Sequence, residues 1–327
     1  MSPTIVIPDL GTFPVGSGLV PMSATSDRRF HAGSDGVAAV AATGDRKVEF
    51  VAFADHALAC VTSAMGYSAY YPVYPVEPRK PVRAVLMDLD GTSVRSEHFW
   101  VWIIQQTIAG LCGDPGMLLE DADLPFVSGH SVSEHIEYCI RKYCPDKGLE
   151  AGRQLYFEVV HREMASILEG TGRADAFEPS PGLRGLLLAL KARDIKIALV
   201  TSGLYEKAYP EILSAFRTLD LGRPEDFYDA IITAGFPLGR GMAGTLGELS
   251  PKPHPWLYAE AARVGLGVPF EAREQVLGIE DSGAGVCAIR LAGFPTVGVA
   301  GGNIFESGTL QLCNFFVDSL EEVLDLL

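Results

Sequence analysis

Short apolar runs alternate with amphipathic segments along most of the chain, and this alternation predicts an α/β fold. Four of the runs are typical of strands buried on both faces: Ala84–Met87, Ile195–Val200, Val276–Ile279 and Thr296–Val299. Polar residues directly follow the first three of them. Helical periodicity lies between such runs, as at Leu183–Ala192. Because strands that alternate with helices build βαβ units, we predict a Rossmann-like parallel sheet.

A long, mostly helical pattern interrupts the alternation after the first strand. From about residue 96 to 178, apolar positions recur at helical spacing, as they do at Trp100, Ile104 and Ile108. We therefore divide the chain into a core of residues 81–95 and 179–327, a helical insertion at 96–178, and an N-terminal extension at 1–80 of unknown role.

The N-terminal extension has a less regular pattern. Thr4–Ile7 and Val48–Phe53 are predicted strands, and the Gly-, Ser- and Pro-rich stretch at 11–36 is predicted to be a loop. Residues 55–65 have helical spacing, with Asp55 as the cap. Tyrosines and prolines cluster at 67–81, which indicates either a linker docked on the core or a partner surface.

Composition narrows the class of protein. The 327 residues are 48% hydrophobic, which suits two or three domains with a substantial core. The net charge of −15 argues against nucleic acid as a partner. We find no apolar run of membrane-spanning length and no signal peptide, so we expect no membrane association. Six scattered cysteines form no Cys-x-x-Cys pair and are expected to be free thiols in a cytoplasmic protein.

Two carboxylates follow the first core strand, in Asp88-Leu89-Asp90-Gly91-Thr92. The carboxyl ends of parallel strands are where open α/β sheets bind ligands. Asp88 and Asp90 point to the same side of an extended chain, and like charges so close call for a cation such as Mg²⁺. One carboxylate can be a nucleophile and the other a general acid and base. A simple turn is the alternative.

Three more segments carry polar groups suited to a phosphate or a metal. Thr201-Ser202-Gly203 follows the second strand and offers hydroxyl and N–H groups to a phosphate, or an ordinary helix cap. Lys252 stands among three prolines and is either a fixed phosphate ligand or an exposed loop lysine. Glu280-Asp281-Ser282 ends the third strand, as metal ligands or as partners of a helix dipole.

The four segments in this order resemble the haloacid dehalogenase (HAD) superfamily. The resemblance is closest to the subfamily of β-phosphoglucomutase-like and phosphoglycolate-phosphatase-like enzymes, and it covers about residues 81–327. It is carried by Asp88-x-Asp90-Gly91-Thr92, Thr201-Ser202-Gly203, Lys252-Pro253-x-Pro255 and Glu280-Asp281-Ser282-x-x-Gly285. It implies the HAD fold, with a helical cap at 96–178.

The resemblance also implies roles in phosphoryl transfer. Asp88 would attack phosphorus and form an aspartyl-phosphate, while Asp90 would protonate the leaving oxygen and then activate water. Thr201 and Ser202 would bind the transferring phosphoryl group, and Lys252 would neutralise its charge. Positioning and charge neutralisation are the assistance that phosphoryl transfer needs most.

The cofactor implied by the resemblance is Mg²⁺. Asp88, the backbone carbonyl of Asp90 and Asp281 would bind the ion, helped by Glu280. The expected partner is a phosphorylated small-molecule substrate, and the function predicted is hydrolysis of a small phosphorylated metabolite by a phosphoric monoester hydrolase.

Two alternatives remain. The first is a phosphosugar mutase, in which the family pattern places a histidine at the hinge of the cap; here that place holds Trp100, with His98 two positions before it. The loop at 126–131 resembles the substrate-contacting loop of the cap, and His130 is a substrate contact, an acid/base helper or a surface histidine. The second alternative is a non-enzymatic interaction protein that uses residues 1–80 as its working surface.

Overall fold

The fold is seen in a computed structural model, which describes residues 4–14, 18–62, 66–124, 132–234 and 249–327. The chain forms two compact units. The first comprises Met1–Ser93, Ser180–Ala208 and Gly222–Leu327, and the second comprises Val94–Pro179 and Tyr209–Leu221. The loop at 126–131 with His130 lies outside the described residues.

The strands of the described residues are these, in chain order: β1 Thr4–Ile7, β2 Gly11–Pro14, β3 Val20–Met22, β4 Ala39–Ala42, β5 Val48–Ala52, β6 Ala57–Thr62, β7 Ser68–Pro72, β8 Ala84–Asp88, β9 Val94–Arg95, β10 Glu178–Pro179, β11 Lys196–Val200, β12 Ala230–Ile232, β13 Val276–Glu280, β14 Thr296–Val299 and β15 Phe315–Val317. The α-helices are α1 Glu97–Cys112, α2 Val132–Tyr143, α3 Leu149–Glu169, α4 Leu183–Ala192, α5 Tyr205–Leu219, α6 Trp256–Glu260 and α7 Gly283–Ala292. Shorter turns of 3₁₀-helix include Glu322–Leu326, and Ala261–Gly265 is a π-helical turn.

A six-stranded parallel sheet forms the centre of the first unit. Its strand order is β12-β11-β8-β13-β14-β15, so β8 lies between β11 and β13. Val200 of β11 is the register partner of Asp88, and Ile279 of β13 is the partner of Met87. The carboxyl ends of the three central strands therefore lie side by side. The predicted Rossmann-like sheet is confirmed.

Apolar side chains pack on this sheet, as the continuous apolar runs of its strands predict. The strand residues Leu86, Val200 and Ile232 share a buried cluster with Leu257 of α6 and Ile289 of α7. All five residues of β8 and all five of β13 are buried. Strands enclosed on both faces explain why these runs are continuously apolar rather than alternating.

Helices dominate the second unit, as the periodicity predicted. α1, α2 and α3 pack against one another, and the strands β9 and β10 pair antiparallel where the helical segment begins and ends. Trp100 on α1 packs beside Phe99 and Phe177, with ring centroids 5.3 and 6.2 Å away. No helix among the described residues is both long enough and apolar enough to span a bilayer.

The N-terminal extension is a β structure, and two of the sequence predictions for it are wrong. β3 to β7 form an antiparallel sheet in chain order, and β1 pairs with β2. The predicted helix at 55–65 is replaced over Ala57–Thr62 by β6, which pairs with β5 on one side and β7 on the other. The predicted loop at 11–36 contains β2 and β3. Pairing with distant strands overrode the local helical spacing.

The extension is joined to the parallel-sheet core by a common hydrophobic cluster. Phe13 and Phe50 of the extension share this buried cluster with Val286 and Leu291 of α7 and with Ile304. Backbone contacts add to it: the N–H of Gly44 donates to the carbonyl of Ser307 at 2.7 Å. The extension is therefore part of the first compact unit rather than a separate module.

Candidate active site

Asp88 occupies the centre of the candidate site because it is the last residue of the central strand β8. Its side chain is buried and accepts a short charged hydrogen bond from the ammonium group of Lys252. The hydroxyl of Ser93 donates to the Asp88 carbonyl at 2.5 Å, which fixes the backbone where the strand ends. The sequence-predicted nucleophile and lysine, 164 positions apart, are thus in direct contact.

Lys252 connects the ends of three strands, β8, β11 and β13, through its ammonium group. Besides Asp88, Nζ donates to Glu280 Oε1 at 2.5 Å and to the carbonyl of Val200 at 3.2 Å. Only 8% of its side chain is exposed. Burial opposes the charge, but the carboxylates of Asp88 and Glu280 outweigh it, so that the pKa of Lys252 lies above its ordinary value. The lysine is a fixed positive charge and not an exposed loop residue.

Hydrogen bonds occupy both carboxylate oxygens of Glu280. Oε1 accepts from Lys252 and from the buried hydroxyl of Tyr258 at 2.7 Å. Oε2 accepts from the N–H and hydroxyl groups of Ser282 at 3.2 and 3.0 Å. Ser282 also caps α7 by accepting from the N–H of Gly285 at 3.1 Å. These contacts hold Glu280 with its charge directed at the lysine.

Asp281 lies beside the loop that follows β8. Its Oδ1 accepts a hydrogen bond from Thr92 at 3.1 Å. A Cβ atom on Gly91, whose φ is +85°, would lie 2.1 Å from Asp281 Oδ2, and one on Gly302 would lie 2.2 Å from the Asp281 carbonyl oxygen. Glycine is therefore required at both positions, because a larger residue at either would displace Asp281.

Asp88, Glu280 and Asp281 form a cluster of three buried carboxylates whose ligand atoms lie within 4.8 Å of one another. Burial and the charge of Glu280 raise the pKa of Asp88 well above its ordinary value, with Lys252 acting in the opposite direction. The same two causes raise the pKa of Asp281 to about 7. Oxygen ligands crowded at this density, with one ammonium among them, fit a hard divalent cation such as Mg²⁺.

The predicted phosphate-binding residues lie at the end of β11. Thr201 is buried, and its hydroxyl oxygen accepts from the N–H of Gly203 at 2.9 Å. The Ser202 hydroxyl accepts from the backbone N–H of Lys252 at 3.1 Å, so it holds the lysine loop. In the register of the sheet, Thr201 follows the residue that pairs with Asp88. Its hydroxyl group therefore lies at the same carboxyl end of the parallel sheet as the acid pair.

Asp90 is placed differently from the other acids. Its side chain is 36% exposed, and Lys207 near the start of α5 approaches its Oδ1 at 3.5 Å. A carboxylate in contact with solvent can exchange protons, which the buried Asp88 cannot do as readily. The two members of the acid pair thus differ in exposure: Asp90 is in contact with solvent, and Asp88 is buried.

Sequence reasoning missed several residues that shape the site. Tyr258 and Ser93 donate to the site residues Glu280 and Asp88, and Asn303 accepts from the N–H of Gly283 at the start of α7 at 2.8 Å. Lys207 was also not singled out, although it is the lysine beside Asp90. A single serine, tyrosine or lysine gives no signal in the sequence, since its role depends on which other element of the fold lies next to it.

Acids and hydroxyl groups at the ends of the central strands, with the buried Lys252 in contact with them, suit phosphoester hydrolysis or phosphoryl transfer. The chain belongs to the haloacid dehalogenase-like hydrolases, whose family model matches residues 82–293. The family predicted from the sequence is thereby confirmed. A comparison with curated proteins gives no match.

Solved structures show the same fold. A protein of Thermotoga maritima assigned as a beta-phosphoglucomutase is 25% identical, with a TM-score of 0.53, over 75% of this chain and 97% of its own. A predicted phosphoglycolate phosphatase of Haemophilus somnus is 17% identical, with a TM-score of 0.52, over 75% and 97%. A HAD-superfamily hydrolase of subfamily IA from Geobacter sulfurreducens is 16% identical, with a TM-score of 0.51, over 77% and 99%. The similarity covers nearly the whole of each of these chains and about three quarters of this one.

Proposed function

We propose that the protein is a Mg²⁺-dependent phosphatase that hydrolyses a small phosphorylated metabolite through an aspartyl-phosphate on Asp88. The observation that carries the proposal is the buried contact of Asp88 with Lys252, beside Glu280 and Asp281, at the carboxyl ends of β8 and β13. A site of fixed charges around one carboxylate is what phosphoryl transfer requires of a protein.

Asp88 and Asp281 are the proposed direct metal ligands, together with the Asp90 carbonyl. Glu280 belongs to the same cluster, but its oxygens already accept four hydrogen bonds, so we assign it to holding Lys252 beside the ion. A bound Mg²⁺ would neutralise charge on the phosphoryl oxygens and orient them.

We assign the proposed reaction steps to these side chains. An Asp88 carboxylate oxygen attacks phosphorus, the ester P–O bond breaks, and Asp90 gives a proton to the leaving oxygen. Asp90 then takes a proton from water, the water oxygen attacks the aspartyl-phosphate, and the bond to Asp88 breaks with release of phosphate. Lys252 and Thr201 would stabilise the charge on the phosphoryl oxygens in both steps. We assign substrate selection to the helical segment at 96–178, as in the cap of the resembling subfamily.

A phosphosugar mutase is the second candidate, and the similarity to the Thermotoga maritima protein favours it. A mutase uses the same aspartyl-phosphate but returns the phosphoryl group to a sugar rather than to water. Trp100 stands where the mutase pattern places a histidine, which supports the phosphatase.

The test is turnover of p-nitrophenyl phosphate with Mg²⁺ by wild-type protein, by Asp88→Asn and by a control, Asp318→Asn. Asp318 also directly follows a strand of the parallel sheet, β15, but it is exposed. We expect EDTA and Asp88→Asn to abolish turnover, since loss of the nucleophile costs several orders of magnitude. The control should keep the wild-type rate. An Asp88→Asn protein with a near-normal kcat would contradict the proposal.

A further inference from the structure

The N-terminal sheet contacts the loop that carries Lys252. Tyr71, on the edge strand β7, lies with its hydroxyl oxygen 2.7 Å from Nδ1 of His254. His254 follows Lys252 by two positions and is 7% exposed. The two residues are 183 positions apart in the chain, so this hydrogen bond joins the extension to the proposed phosphate-binding loop.

Ring contacts surround the same hydrogen bond. Tyr71 meets the ring of His254 edge-on at 5.9 Å, and it meets Trp256 edge-on at 5.7 Å. Burial lowers the pKa of His254 and raises that of Tyr71, so both groups are neutral near pH 7. With the imidazole proton on Nε2, the Tyr71 hydroxyl donates to Nδ1.

The Lys252 loop is thus held on both sides of the lysine. On one side Ser202, from the end of β11, accepts from the backbone N–H of Lys252 at 3.1 Å. On the other side Tyr71 holds His254. The extension is packed firmly on the core, because Phe13 and Phe50 are buried with residues of α7 in one hydrophobic cluster. The core and the extension therefore each supply one anchor for the loop.

We propose that Tyr71 is a positioning residue, which acts through His254 to hold the ammonium group of Lys252 against Asp88. The extension is in this view a working part of the site and not an appended module. The inference rests on the proposed function, since it assigns to Lys252 a part in phosphoryl transfer.

Tyr71→Phe is the informative change, because it removes the hydroxyl and keeps the ring contacts. The matched control is Tyr74→Phe on the same segment, whose ring packs edge-on against Phe270 at 5.4 Å. We expect Tyr71→Phe to lower kcat for p-nitrophenyl phosphate and to weaken binding of inorganic phosphate, each by about three- to tenfold, as for one lost hydrogen bond. The control should leave both unchanged.

A double-mutant cycle separates positioning from a general loss of structure. In a Lys252→Met background, Tyr71→Phe should no longer change the dissociation constant for inorganic phosphate, because the residue through which it acts is gone. His254→Asn, which keeps an acceptor near the position of Nδ1, should retain most of the affinity that His254→Leu loses.

The outcomes are distinguishable. If wild-type protein hydrolyses phosphate esters while Tyr71→Phe behaves like Tyr74→Phe, the inference is wrong and the proposed function stands. The inference is also wrong if Tyr71→Phe weakens phosphate binding equally with and without Lys252. Wild-type protein that hydrolyses no phosphate ester and binds no phosphate overturns both.

Discussion

Gly91→Ala is the sharpest available test of the acidic cluster. The added Cβ would lie 2.1 Å from Oδ2 and 2.8 Å from Cγ of Asp281. Since non-bonded carbon atoms rest at roughly 3.5–4.0 Å, the carboxylate must retreat by about 1 Å or more. Gly302 is also close to Asp281, because its own Cβ position is 2.2 Å from the Asp281 carbonyl oxygen. The retreat would also strain the hydrogen bond from Thr92.

The cost has two parts that a control separates. The φ of Gly91 is +85°, where a residue with a Cβ is strained by roughly 1–2 kcal/mol. Gly36 has a φ of +82° and open space at its Cβ position, so Gly36→Ala carries the backbone part alone. We expect Gly91→Ala to lower the free energy of unfolding by this backbone cost and by at least about 1 kcal/mol more, because the site becomes overpacked.

The functional effect should be larger than the loss of stability. A displacement of about 1 Å at a reacting centre can cost about 100-fold in rate. Urea unfolding, calorimetric titration with Mg²⁺ and kcat/KM for p-nitrophenyl phosphate measure the two effects separately. We expect Gly91→Ala to bind Mg²⁺ more weakly and to lose about two orders of magnitude in kcat/KM, while Gly36→Ala keeps wild-type values for both. Equal stability and equal kcat/KM in the two variants would refute the geometry assigned to Asp281.

Two further predictions concern protons. Asp90→Asn keeps the shape but cannot transfer a proton, so turnover of an alkyl phosphate should fall far more than the first step with p-nitrophenyl phosphate, measured as the burst of p-nitrophenol; equal losses would remove Asp90 from the role of general acid. In metal-free protein the pKa of Asp281 is raised to about 7 from 3.8, so the folded state holds the extra proton, and stability should fall as the pH rises from about 4 to about 7. Mg²⁺ should therefore raise the Tm more at pH 8 than at pH 5.5, and an equal shift at both values would contradict this.

The parallel core could be predicted from the sequence because each of its strands and motifs is encoded by a short stretch of consecutive residues. Ala84–Met87 and Val276–Ile279 are continuous apolar runs, as strands buried on both faces must be, and the chemistry lies in the residues directly after them. The order of such motifs is a strong signal even where each motif is weak. The sequence therefore predicts Asp88 and Asp281 from the ends of apolar runs, and Lys252 from its place in the order of the motifs.

The extension could not be predicted in the same way. Leu58 and Val61 are spaced as on a helix, but they lie in β6, whose partners β5 and β7 stabilise it through non-local pairing. Tyr258 gave no signal either, since its hydroxyl matters only because α6 brings it to Glu280. Hydrophobic periodicity does not reveal residues whose role depends on a partner far away in the chain. It does reveal residues at strand ends, because they directly follow an apolar run.

The charges of the site bear on the proposed role of the buried Asp88 as a nucleophile. Burial and the neighbouring Glu280 favour the protonated form of Asp88, which does not attack phosphorus. Lys252 opposes both effects through a direct hydrogen bond, but its one positive charge is shared with Glu280. Three carboxylates around one ammonium leave the site short of positive charge. In the proposed mechanism a second cation would favour the ionised form of Asp88, and the same cation would offset the repulsion that an entering phosphate dianion would meet. The dependence on a divalent ion that we propose would thus follow from the burial of the carboxylates, and it would persist even if Glu280 alone were neutralised, because Asp281 remains beside Asp88.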